Sequence, residues 1–236
     1  MTFDLHKQVE LGFQALQQHT KKDEDELVAE DPNVTVIFTL WQNFDYKTQY
    51  PFAIPVRHNL YEGSTLRVVL ITKDPHQEWK QKIRELDYPV EIKTYSVKKF
   101  GERFKETYNA RQLIKDTRCF LADSRVAHVL NTKLTKEFYE KKKIPILVDL
   151  TGDDLITPIT KALDSSPVIL PKGNKFAAPV GKLSWEASNI ADNACDVING
   201  IFEKVGKENI ATIHIRVPSS TTIPIYTADI TSVIKE

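Results

Sequence analysis

Glycine is scarce in this chain, with 8 residues among 236. None falls in a GxGxxG or GxxxxGK[ST] pattern. That argues against a dinucleotide site or a P-loop, whose backbones must approach phosphate closely. Cysteine is scarcer still: Cys119 and Cys195 are the only two, with no CxxC. They read as buried reduced thiols, not as a disulfide or a zinc site. The 6 histidines are dispersed, without HExxH spacing, so neither a metal nor a cofactor is expected. No apolar run approaches the ~18 residues of a membrane-spanning helix. The start of the chain lacks the basic and apolar regions of a secretory signal, so a soluble intracellular protein is expected.

Net charge is also missing, since 32 Lys and Arg meet 32 Asp and Glu. The distribution is uneven. Residues 66–150 hold 19 basic and 12 acidic side chains, leaving 13 basic and 20 acidic elsewhere. The run Asp23, Glu24, Asp25, Glu26 reads as a solvated acidic loop.

Periodicity supplies the rest. Leu5, Val9, Phe13 and Leu16 predict an amphipathic helix over 4–19. Residues 33–41 and 52–56 read as strands. From Leu66 to Val148 strands alternate with helices, at 66–71, 75–86, 90–94, 97–110, 119–122, 124–140 and 146–148. Phe100, Phe104 and Tyr108 would share one side of the helix over 97–110. Such alternation predicts a parallel sheet covered on both faces. A helix at 153–163, strands at 168–170 and 176–180, a helix at 186–205 and a strand at 210–217 follow; 219–224 reads as a loop. The expected fold is α/β. An α+β first domain, residues 1–65 with 152–236, would carry an inserted Rossmann-like three-layer α/β domain, 66–151.

Few residues point to chemistry. Asp123, Ser124 and Arg125 follow a buried strand, where active sites of α/β sheets often lie. With no partnered base, helix capping and local pairing are preferred. Lys141, Lys142 and Lys143 can touch phosphate or serve nuclear import, and a solvated helix end fits equally. Lys98, Lys99, Arg103 and Lys105 would form a basic patch on one helix, interrupted by Glu102 and Glu106. Lys172, Gly173, Asn174 and Lys175 make a tight turn between strands. Ser219, Ser220, Thr221 and Thr222 offer consecutive hydroxyls suited to phosphate, 2′-OH and base edges.

Read in order, several segments resemble ribosomal protein L1. Residues 172–182 look like the family's hairpin running into Val180-Gly181-Lys182, followed by Trp185 and a helix with Ile190 and Asn193. The segment 52–58, ending in Arg57-His58, matches the family's entry to its inserted domain. Residues 120–126 and 138–146, with Ile223-Pro224-Ile225-Tyr226, look like the L1-domain ribosome-biogenesis branch. The resemblance implies an L1-like two-domain architecture whose first domain, of split β-α-β type, binds RNA. It places Lys172, Asn174, Lys175, Ser219, Ser220, Thr221 and Thr222 on that RNA. Thr222 and Ile223 stand where the family's Met-Gly pair does, and the phenylalanine that opens its first strand is replaced near Asp31. These departures favour a non-enzymatic assembly factor that binds pre-rRNA in the nucleolus, as a monomer among preribosomal proteins. The alternatives are the mature large-subunit stalk protein and a protein-interaction adaptor with weakened RNA binding.

Overall fold

The computed structural model describes residues 4–20, 31–43, 50–61, 67–85, 91–152, 154–170, 173–218 and 220–228. The run 23–26 lies outside them. The chain opens with α1 (Leu5–Thr20), β1 (Asn33–Leu40) and β2 (Phe52–Pro55). Then come β3 (Arg67–Thr72), α2 (His76–Glu85), β4 (Ile92–Ser96), α3 (Val97–Arg103) and α4 (Thr107–Asp116). These lead into β5 (Thr117–Asp123), α5 (Ala127–Leu130), α6 (Lys136–Glu140), β6 (Ile146–Val148) and α7 (Ile156–Leu163). The chain closes with β7 (Ser165–Val168), β8 (Lys175–Lys182), α8 (Ala187–Val205), β9 (Ile210–Arg216) and β10 (Ile223–Thr227). They form two compact units: Met1–Gln49, Ala53–Leu60 and Asp164–Glu236 in one, Tyr50–Phe52 and Tyr61–Leu163 in the other.

The first unit is built on an antiparallel sheet ordered β10-β9-β1-β8. Strict alternation on β1 sends Val34, Val36, Phe38 and Leu40 inward. α1 buries Val9, Phe13 and Leu16 completely, as its 3.6-residue period predicts. α8 buries Ile190, Ala194, Val197 and Ile201. Phe38 and Phe176 stack across the strands at 5.0 Å. At Gly12 a side chain would meet Ile215 and Ile223 at 3.5 and 3.6 Å, so α1 lies over β9 and β10.

The second unit holds a parallel sheet ordered β4-β3-β5-β6. Both faces are covered, which is why β3 and β5 read as continuous apolar runs. Val69, Ile71, Phe120 and Ala122 face α3, α4 and the aromatic cluster of Tyr95, Phe100, Phe104 and Phe138. Val68, Leu70, Cys119 and Leu121 face Ile83 of α2 and Ile159 and Leu163 of α7. That packing moves α7 into this unit, whereas the sequence-based boundary at 152 left it in the first.

Four expected elements differ, the first being the strand over 168–170, which runs Ser165–Val168 instead. The helix over 97–110 is two helices, broken at Phe104 (φ −110°, ψ 22°). Phe104 turns inward onto Tyr95, while Tyr108 opens α4 on the outside, 71% exposed. The helix over 124–140 is a 3₁₀ turn, Ser124–Val126, followed by α5 and α6. The hydroxyl-rich loop ends at Thr222, and Ile223–Thr227 adds an edge strand to the first unit's sheet. Pro224 fits there because an edge strand leaves some N–H groups unused.

Candidate nucleic-acid interface

The four-stranded sheet has helices on one face, and its other face is only half-covered. Alternation brings Thr35, Ile37 and Thr39 of β1 to that second face. From β8 come Lys175, Ala177 and Pro179; from β9 come Thr212, His214 and Arg216. Register aligns them in three rows. Lys175, Thr39 and Thr212 form one; Ala177, Ile37 and His214 the next; Pro179, Thr35 and Arg216 the last. Directly opposed side chains in such a ladder stand about 5 Å apart, so each outer row sets a cation near threonine hydroxyls, and the middle row is apolar but for His214. Burial holds the His214 imidazole below its ordinary pKa, and the charge of Lys175 acts in the same direction. The ring is therefore neutral at physiological pH. Its Nδ1 lies 3.4 Å from the Thr212 hydroxyl.

The two turns expected to bind RNA lie at opposite ends of this sheet. Asn174 and Lys175 are exposed where β8 begins, and the Asn174 carbonyl accepts from Leu40 N–H at 2.7 Å. Ser220, Thr221 and Thr222 follow the far end of β9, whose Arg216 pairs with Thr35 near the start of β1. The Ser220 N–H donates to the Val217 carbonyl, and Thr221 and Thr222 are exposed. Lys172 and Ser219 lie outside the described residues. Some seven residues of β1 separate the ends, about 23 Å at 3.3 Å per residue. A ligand touching both must run the length of the strands. Lys182 pairs with Asn33 at the Ser/Thr end, so each end has a cation.

The segments that carried the family resemblance are largely structural. Asn193 is fully buried on α8. Its amide nitrogen donates to the carbonyls of His58 and Val180, both at 2.9 Å, and its oxygen accepts from His58 N–H. All of its close partners are backbone, so it ties β8 and the Arg57-His58 strap to the helix. Above it, Asp192 accepts from Arg57 at 2.8 Å and lies 3.2 Å from the His58 ring. His58, helped by the charges of Arg57 and His6, holds the Asp192 carboxyl below the usual carboxylate range. At Gly181 a Cβ would collide with Ile190 Cδ1 and come within 2.7 Å of the Trp185 ring. The glycine of Val180-Gly181-Lys182 is thus a close-packing position. Asp31 binds the Ser184 N–H and hydroxyl, which occupies the carboxylate where the family's phenylalanine would fall.

In the second unit, Asp123 accepts from Arg125 N–H at 3.0 Å and is gripped by the Arg125 guanidinium. This is the capping and pairing expected from sequence. Of the three consecutive lysines, Lys143 is half-buried and its ammonium donates to the Thr117 and Arg118 carbonyls. Burial lowers its pKa. Only Lys141 and Lys142 stay exposed and available to phosphate.

Fold and surface together define a two-unit α/β protein, in which a half-open antiparallel sheet carries the cations and a parallel α/β unit is inserted in its chain. Residues 16–221 match the Ribosomal protein L1p/L10e family, and the chain belongs to that family. It is 25% identical over 183 residues to a putative ribosome biogenesis protein of Schizosaccharomyces pombe, covering 75% of this chain and 49% of that one. It is 23% identical over 226 residues to Ribosomal L1 domain-containing protein 1 of Mus musculus, covering 90% and 49%. It is 27% identical over 203 residues to ribosome biogenesis protein UTP30 of Saccharomyces cerevisiae, covering 75% and 74%. The chain therefore spans about half the length of the first two relatives.

Sequence reasoning singled out the turns and passed over Thr35, Thr39, Thr212, His214 and Arg216. Their signal was present as period-two alternation on two strands. Neither strand shows by itself that its polar side lies beside the other's.

Proposed function

We propose that this chain is a non-enzymatic ribosome-biogenesis factor that binds pre-rRNA through the first unit. The observation that supports the reading most is the half-open face, where Lys175, Arg216 and hydroxyls stand in register between two exposed turns. Ammonium and guanidinium groups neutralise phosphate, and threonine hydroxyls reach phosphate and 2′-OH. Two relatives that carry ribosome biogenesis in their names support the same reading. Lys172 and Ser219 would join Asn174, Lys175, Ser220, Thr221 and Thr222 on the RNA. The setting is the nucleolus, with preribosomal proteins as neighbours and one copy of the chain per particle. The RNA-binding domain would comprise residues 1–65 with 152–236 and the inserted domain 66–151, except that α7 groups with the insert.

In-cell RNA crosslinking with read mapping tests this. Crosslinks should fall on precursor rRNA and diminish in a Lys175→Ala, Arg216→Ala double variant. Crosslinks confined to proteins would favour the adaptor reading, for which the acid excess outside residues 66–150 speaks.

A further inference from the structure

The hairpin end of the sheet carries a feature that the turn lysines do not explain. Trp41 follows β1 directly and is exposed, at 37%. Its N–H donates to the Asn209 carbonyl at 3.0 Å, while the preceding Leu40 N–H donates to Asn174. The tryptophan backbone is therefore pinned between the β8 hairpin and the 3₁₀ turn Lys207–Asn209. Gln42 and Asn43 follow it, both exposed. Asn174, Lys175 and Lys207 are exposed at this same end of the sheet. Glu208, also exposed, is the acidic side chain of the 3₁₀ turn. The other two tryptophans are engaged elsewhere. Trp79 lies beneath Lys82 and Arg125, and Trp185 packs at Gly181.

An exposed indole on a pinned backbone, side-chain amides and the ammonium groups of Lys175 and Lys207, the latter 5.7 Å over the Phe202 ring, are the components of a single-stranded nucleic-acid site. The ring stacks a base, amides reach base edges, and lysines hold the phosphates. We infer that Trp41 stacks an unpaired base of the bound RNA, making the hairpin end the one that senses single-stranded RNA. The opposite end offers hydroxyls, Lys182 and Arg216, which suit the sugar-phosphate backbone. This deepens the proposed function and rests on it.

The test titrates the 236-residue chain with a short single-stranded oligoadenylate and with an abasic oligomer of equal length, following tryptophan fluorescence and affinity. Stacking should favour the base-bearing probe by about tenfold and quench emission. Trp41→Ala should abolish that preference and the quench; Trp41→Phe should keep most of the preference. Lys175→Ala should weaken both probes alike. Trp41→Ala binding oligoadenylate as tightly as the parent, while remaining folded by circular dichroism, overturns the inference and leaves RNA binding standing. Equal affinity of the parent for both probes also overturns it. Binding of neither probe overturns the RNA-binding reading itself.

Discussion

Asn193 shows how a buried polar side chain can be costly to lose. Its amide satisfies two carbonyls and one N–H, and none of these has an obvious replacement partner in the packed interior. Asn193→Ala should destabilise the chain by about 3 kcal/mol, the cost of leaving several buried groups unpaired. Urea unfolding measures this; a loss under about 1 kcal/mol would mean the strap finds other partners. Gly181→Ala should cost about 1–3 kcal/mol, because its methyl must displace Ile190 or the Trp185 ring. His214 gives a readout of the sheet's electrostatics. The folded state favours the neutral ring, so its contribution to stability is present above the ordinary pKa of about 6.5 and fades as pH falls through the lower folded value. Lys175→Ala should move the His214 midpoint upward in an NMR titration. An unchanged midpoint would show that burial alone sets it.

At the scale of elements, the separation of the two turns matters most. Sites this far apart, with no shared partner, should contribute independently. Losses in RNA affinity from Lys175→Ala and from a Thr221→Ala, Thr222→Ala pair should add within about 0.5 kcal/mol in binding assays. Strong non-additivity would mean that the two ends contact one compact RNA feature. Most elements were legible in the sequence because their patterns were clean. α1 and α8 show the helical period, and β3 and β5 are the apolar runs of a doubly covered sheet. Elements without such a pattern were missed. β10 is an edge strand with a proline and few buried residues, so it reads as loop. The break at Phe104 was hidden because Phe100, Phe104 and Tyr108 keep helical spacing in the sequence, yet only Phe100 and Phe104 join the aromatic cluster while Tyr108 is exposed. The turns of the candidate site were visible from composition. The half-open face was not, because its rows come from the register of strands far apart in sequence.

At the scale of the whole molecule, neutrality conceals organisation. The basic surplus lies in residues 66–150, while the proposed RNA surface lies in the other unit among a net excess of acid. A few well-placed cations, not a strong overall field, must then drive association. Lys175, Lys182 and Arg216 supply three along the sheet, so salt dependence should be modest. A single-stranded contact contributes about −0.7 per phosphate to the slope of log affinity against log salt, predicting a slope near −2 from these three, steeper by about 0.7 for each of Lys172 and Lys207 that also meets a phosphate. Affinity of the 236-residue chain for precursor rRNA, measured across salt concentrations in the parent and in the Lys175→Ala, Arg216→Ala double variant, tests the account most directly. Binding should be salt-sensitive, with a slope that shrinks by about 1.4 in the variant. Binding that is absent, insensitive to salt, or unchanged in the variant would contradict it.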